Sequence, residues 1–443
     1  LAAASLALAI GALSGIEPRM GIAAAIGLTF VALVFVDLLI GLATMVMLAF
    51  LEALSIFGGV SLAKVTGALL VLAWLALVST RGSGSRNLFV ERPMLIYLLI
   101  AFLGWNAISL GWSESSGDAI GSTVRYTLNA VLVPIVYTAV RDRRDAVRIL
   151  ATIVVGATVA AISGIVAAPG AVEIAYDRAT GTVGDANELA AALVVGLALA
   201  GAFAINRHIA PPLRVLSGIS AGLCLIAIFL SLSRGGLLGV GGAIVTAIVV
   251  SGRWRPRVVA TCGLLVVLAA GYFSYVASLP AKERVLNVGG GTGRLDLWTV
   301  GFRMVDAHPV AGVGTGQFAD SSVHYLLQPG AIQRGDLILS TPKVAHNTYL
   351  NVVAELGAVG GALFAGLLAF AIGCAVVAVR RLRRDGDERL EILVRGFIVG
   401  LGGYLTTLLF ISENHSKLLW ILLALGPAFL AVASRPRGEP DLE

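Results

Sequence analysis

Charge is what this sequence has least of. Asp, Glu, Lys and Arg make up 13% of its 443 residues, where a soluble domain carries about 25%. So few charges cannot clothe a soluble surface. With 58% hydrophobic residues and a mean hydropathy of +0.91, the solvent is lipid. Cysteine is scarce as well. Cys224, Cys262 and Cys374 lie in separate apolar stretches, which argues against a disulfide framework and a structural zinc site. The five histidines show no H-x-x-x-H spacing, so catalytic zinc is not expected. Apolar and polar residues do not alternate over long runs, which excludes a membrane barrel. No G-x-x-x-x-G-K-[ST] run occurs, and no glycine cluster has the strand–turn–helix context of a dinucleotide site. The sequence implies no metal and no cofactor.

What is present is a series of apolar blocks close to the ~20 residues that cross a bilayer as a helix. They predict an all-α polytopic membrane protein with about 12–14 transmembrane helices. Leu1–Ile16 reads as a first span, and Met20–Leu54, interrupted by Asp37, as a hairpin of two. Basic residues collect in short loops at 81–92, 141–148, 206–214, 253–257, 380–384 and 435–437. The loops at 113–118, 169–188, 231–234, 279–346 and 412–417 alternate with them. By the positive-inside rule the basic set is cytoplasmic, together with the C-terminus, and the other set is extracytoplasmic. The net charge of +6 is therefore topology, with the bilayer as partner and no nucleic acid.

The polar stretch 279–346 stands out, because a loop of this length is usually functional. It divides the chain into an N-terminal transmembrane bundle over 1–278, the loop itself, and C-terminal helices with a tail over 347–443. Its glycine clusters, Gly289–Gly293 and Gly312–Gly316, read as turns. Arg234 precedes Gly235-Gly236 on the predicted outer side. A cation beside the free N–H groups of a helix start suits a phosphate, and the glycines would admit a ligand close to the backbone. The alternative is an arginine that snorkels to pin the helix. Arg294 begins a run in which Trp298, Phe302 and Met304–Val305 recur at helical spacing. That spacing predicts an amphipathic helix at the membrane surface, although a loop arginine can equally be solvated. His346 stands at the mouth of a long apolar helix, placed to act as a general base or to cap the helix.

Taken together, these residues resemble a family. Ser231-Leu232-Ser233-Arg234-Gly235-Gly236 comes first, then Gly293-Arg294 with Trp298. His308-Pro309-Val310-Ala311-Gly312-Val313-Gly314 with Phe318 follows, then His346-Asn347-Thr348-Tyr349-Leu350 with Glu355-Leu356-Gly357. In that order they are similar to the O-antigen ligase/polymerase superfamily. Arg178, Gly181 and Asn187-Glu188-Leu189-Ala190 resemble the family's Arg-x-x-Gly…Asn-x-x-Ala element. The resemblance implies a metal-independent, GT-C-like glycosyltransferase of the bacterial inner membrane. It would move a glycan from an undecaprenyl-diphosphate-linked donor to a hydroxyl of a glycolipid or glycan acceptor, lipid A core or similar, on the periplasmic face. Carried over by position, Arg234 and Arg294 would hold the diphosphate and His346 would activate or orient the acceptor. Arg178, Asn187 and Asn347 would be possible substrate-binding residues.

The 169–188 loop is short, with Arg178 its only arginine. That favours a ligase over a polymerase, whose outer loops are larger and richer in arginine. A transporter without chemistry is the competing class, although no inverted repeat is visible. A structural scaffold for cell-wall assembly is a third.

Overall fold

The last helix is apolar on every face, and a helix of that kind belongs inside. In the computed structural model every residue of Lys417–Ala433 after the lysine is buried. The structure describes residues 27, 29–52, 55–56, 60–80, 88–167, 178–276, 293–326 and 343–435. In chain order the first helices are α1 (Thr29–Val36), α2 (Leu38–Ala49), α3 (Leu62–Thr80), α4 (Leu88–Glu91), α5 (Pro93–Ser109), α6 (Ser116–Ala130) and α7 (Leu132–Ala139). Next come α8 (Arg143–Ala167), α9 (Ala186–Ile205), α10 (Pro211–Leu230), α11 (Arg234–Val250) and α12 (Arg255–Gly271). The polar stretch contributes α13 (Arg294–Ala307) and α14 (Phe318–Leu326), and α15 (Thr348–Arg384), α16 (Glu388–Thr407) and α17 (Lys417–Ala433) complete the set. A two-residue strand pair, Ser55–Ile56 with Val60–Ser61, precedes α3.

The molecule is an all-α polytopic membrane protein. Among the described residues seven helices are long and apolar enough to cross a bilayer, or nine if each of two bent pairs is one span. Within Met20–Leu54, where a hairpin of two is expected, α1 and α2 meet at 119°. Asp37 makes that bend by capping α2 through Leu39 N, at 3.0 Å. The α11 stretch and the helix that follows it, expected as two separate spans, meet at 111° and count as the second bent pair. The expected first span, Leu1–Ile16, lies outside the described residues.

Helix α17 packs on α7 and α15, while α9 lies among α8, α10 and α16. Small residues allow these close crossings: α11 and α16 meet where Gly239 faces the Gly403 carbonyl.

Contacts gather the loops at two ends, as the charge pattern predicts. At one end Arg143 pairs with Asp387, His208 and Arg253 meet Glu388, and Asn206 bonds the Arg389 carbonyl. At the other end the 113–118, 178–187, 231–234, 312–317, 343–347 and 408–416 segments interlock.

Helix α15 is broken near its start. Gly357 adopts φ 67°, ψ −169°, a backbone region that is essentially glycine's, and a Cβ there would run into the Val310 carbonyl. A break frees backbone groups that must be satisfied elsewhere. The Ala354 and Glu355 carbonyls accept from Val313 N at 3.0 Å and Gly314 N at 2.8 Å. The Leu356 carbonyl accepts from Trp105 Nε1 at 2.8 Å. Beyond the break, Ala358 N donates to the Pro309 carbonyl at 2.9 Å. The glycine turn at 312–316 is thus stitched into the gap. Buried Glu355 also accepts from Phe318 N at 3.3 Å.

Candidate active site

The described part of the polar stretch folds into a small layer of its own. One face of α13 buries Leu297, Val300 and Met304 against Phe318 and Tyr325 of α14 and Leu350 and Ala354 of α15. Its other face leaves Leu295 and Phe302 exposed, the amphipathic pattern expected of it. Arg294 is the first residue of α13, half-buried, behind a left-handed Gly293.

Trp298, one turn further on, ties α13 to the histidine loop. Its Nε1 donates to the Ala345 carbonyl at 3.1 Å. His346 follows directly, with φ +47°. Leu232, two residues before Arg234, has φ +48°. Among the described residues no other non-glycine side chain sits at positive φ. Such strain persists only where the surroundings hold it, and it marks the two segments that carry the candidate arginine and histidine.

The ring of His346 lies in a mixed field. Burial first, and then the Arg294 guanidinium, push its pKa below the ordinary 6.5; Asp185 opposes this and Lys343 adds to it. The imidazole is therefore neutral near neutral pH and able to accept a proton.

Arg234 opens α11. Ser233 caps that helix by accepting from Gly236 N at 3.1 Å. The turn before it is braced from outside. Arg178 Nε donates to the Ser231 carbonyl at 2.8 Å and its terminal nitrogen to Asn187 Oδ1 at 2.7 Å. Asn187 Oδ1 also accepts from Ser233 Oγ at 3.0 Å. Gly235 and Gly236 stand where neighbouring side chains pack closely. A Cβ on Gly235 would lie 2.9 Å from Phe410 Cβ, and one on Gly236 would lie 2.5 Å from Ala190 Cβ. Phe410 in turn packs on Trp298, with ring centroids 6.1 Å apart. The chain of contact Gly235–Phe410–Trp298–Ala345 thus links the Arg234 helix, the Arg294 helix and the His346 loop.

Asn347 caps α15, accepting from Tyr349 N and Leu350 N at 3.1 Å each. Thr348 fastens the same turn, its N to the Leu408 carbonyl at 2.8 Å and its Oγ1 to the Ile411 carbonyl at 2.7 Å. Arg178 and Asn347 are therefore seen holding backbone in place, and Asn187 holds the side chains of Arg178 and Ser233.

Sequence reading passed over the acidic side of this end. Asp185 caps α9 through Asn187 N and Glu188 N and also faces His346 electrostatically. Glu413 of the 408–416 segment faces Glu188, in the first turn of α9, electrostatically. Burial and the Glu188 charge push Glu413 well above the usual carboxylate range. Glu188 did lie in the quoted Asn-Glu-Leu-Ala run, but nothing marked its partner, which is distant in sequence. Among the described residues no group of His, Cys, Asp and Glu is arranged to hold a metal ion.

A helical membrane protein with strained loops that carry arginine and histidine at one end is the class that this fold and site define. Residues 219–365 match the sequence model of the O-antigen ligase family, a match that supports the O-antigen ligase/polymerase superfamily. The matched span contains Arg234, Arg294 and His346, and members of this family are glycosyltransferase-like enzymes. No curated protein matches the chain.

Proposed function

We propose that the protein transfers a glycan from an undecaprenyl-diphosphate-linked donor to an acceptor hydroxyl, at the extracytoplasmic face of the plasma (inner) membrane. The observation that carries this reading is the Trp298–Ala345 hydrogen bond. It joins the helix bearing Arg294 to the loop bearing His346, beside the start of the Arg234 helix.

In this reading Arg234 and Arg294 hold the diphosphate. As the bond from the sugar C1 to the phosphate oxygen breaks, its electron pair stays on that oxygen. Fixed guanidiniums stabilise the charge that develops there, so the transfer runs on the protein's own cations without a metal. The acceptor oxygen forms the new bond to C1, and its proton passes to neutral His346. Arg178, Asn187 and Asn347 act as positioning residues. Phe302 and Leu295, exposed and apolar on α13, offer a lip for the polyprenyl chain.

Between the two reactions of the superfamily, the ligase is favoured. The 169–188 loop carries a single arginine, a small surface for tracking a growing polymer. The acceptor is then a glycolipid, lipid A core or similar. The glycan left on the carrier lipid in cells lacking the protein tests this. A ligase leaves full-length polymer undelivered, and a polymerase leaves single repeat units. An unchanged carrier pool sinks the transferase reading.

A further inference from the structure

A second polar feature lies at the opposite end of the bundle. Helix α9 runs from Asp185 to Asn206 with 20 residues between them, about 30 Å at 1.5 Å per residue. Where it ends, a cleft of about 700 Å³ opens between the start of α8, the turn after α9 and the start of α16. Arg143, Arg144, Arg148, Arg389 and His208 line it, and Asp387 is the carboxylate among its described lining residues.

Part of this charge is already matched. Arg143 Nε lies 2.9 Å from Asp387 and its terminal nitrogen donates to the Arg435 carbonyl at 3.1 Å. Asp387 is also the cap of α16, through Leu390 N at 3.2 Å. Glu388 takes His208 at 3.3 Å, and Asp145 takes Arg148 at 3.4 Å. Arg144 and Arg389 are different. Both are exposed, and neither has an ion pair or a side-chain hydrogen bond among the described residues. Basic loops on one membrane side follow from topology alone. Their convergence on one cleft, with two guanidiniums left over, does not.

Guanidinium forks match phosphate oxygens in geometry as well as charge. The cleft is also walled by apolar Val147 and Leu390, and it lies at the end where the basic loops meet; basic pockets between membrane helices take anionic headgroups. We propose that this cleft is a binding site for the phosphate group of an anionic phospholipid headgroup, held chiefly by Arg144 and Arg389 and separate from the site of transfer.

The test uses the full-length protein in nanodiscs of phosphatidylcholine containing phosphatidylglycerol. After gentle detergent release, native mass spectrometry counts the phosphatidylglycerol that stays bound. The wild type is expected to retain it. The double variant Arg144→Gln/Arg389→Gln, at two exposed positions, is expected to retain roughly tenfold less. Arg383→Gln/Arg384→Gln, exposed at the end of α15 and outside the cleft lining, is expected to match the wild type. A parallel arm adds inorganic phosphate in detergent and reads the melting temperature. Protection of the wild type but not of the Arg144/Arg389 variant, without lipid retention, would keep the phosphate site and assign it to a soluble phosphate ester. Equal losses in both double variants, or no difference from the wild type in either arm, overturns the proposal.

Discussion

His346 occupies a backbone conformation that few side chains adopt, between an indole that grips the preceding carbonyl and a threonine that fastens the helix after it. Its ring is held neutral by burial and by Arg294. The sign of the consequence is fixed. A base with a lowered pKa stays competent to lower pH, so the acid limb of kcat/KM is expected below 6.5. Arg294→Gln removes a positive neighbour and should move that limb up, besides slowing transfer. Asp185→Asn removes a negative neighbour and should move it down, while asparagine still caps α9. A pH–rate profile that neither variant shifts would show that His346 is not the titrating group. At this scale the sequence was partly legible. Arg234, Arg294 and His346 were visible through motif order. Asp185 was not, because as a local feature it is only a helix cap, and its second role depends on a fold that brings distant segments together. The strain at Leu232 and His346 has no signature in composition.

Among the elements, α15 carries the most instructive disagreement with its hydropathy. Glycine does not interrupt an apolar run, so the stretch reads as one helix through Gly357, and the break at φ 67° is silent. The glycine cluster at 312–316 is a turn, as its composition predicts, but its purpose, donating to the carbonyls that the break exposes, appears only in three dimensions. Gly357→Ala is expected to destabilise the protein by more than about 1–3 kcal/mol, since it adds a clash to an unfavourable φ. A thermal melt in detergent reads this directly, and an unchanged melting temperature would contradict the break. Trp298→Phe keeps a ring against Phe410 and deletes the bond to Ala345. The expected cost is about 1–3 kcal/mol for the orphaned carbonyl, with transfer falling about tenfold or more as the histidine loop loosens. Wild-type transfer by Trp298→Phe would detach α13 from the candidate site.

At the scale of the whole molecule, the apolar blocks and alternating basic loops were enough to give the class and to sort the loops into two groups. The structure gathers them at two ends, for the reason the positive-inside rule gives: short basic loops stay on one side. Direction was less legible: the helix pairs meet at 119° at Asp37 and at 111° after α11, and hydropathy sees length but not direction. The face of each end is testable by cysteine labelling in whole cells. Asp306→Cys, exposed at the end of α13, should react with a membrane-impermeant maleimide, and Arg384→Cys, exposed at the end of α15, should react only after the membrane is opened. The reverse pattern would put the arginine–histidine site in the cytoplasm, away from any flipped lipid-linked donor. The most direct measurement is glycan transfer in proteoliposomes from purified undecaprenyl-diphosphate-linked donor to acceptor, comparing wild type with Arg234→Ala and His346→Ala. Transfer by the wild type, reduced about 10²–10⁴-fold in each variant, is the predicted result. Normal transfer by both variants, or movement of donor across the membrane with no new glycosidic bond, would contradict it.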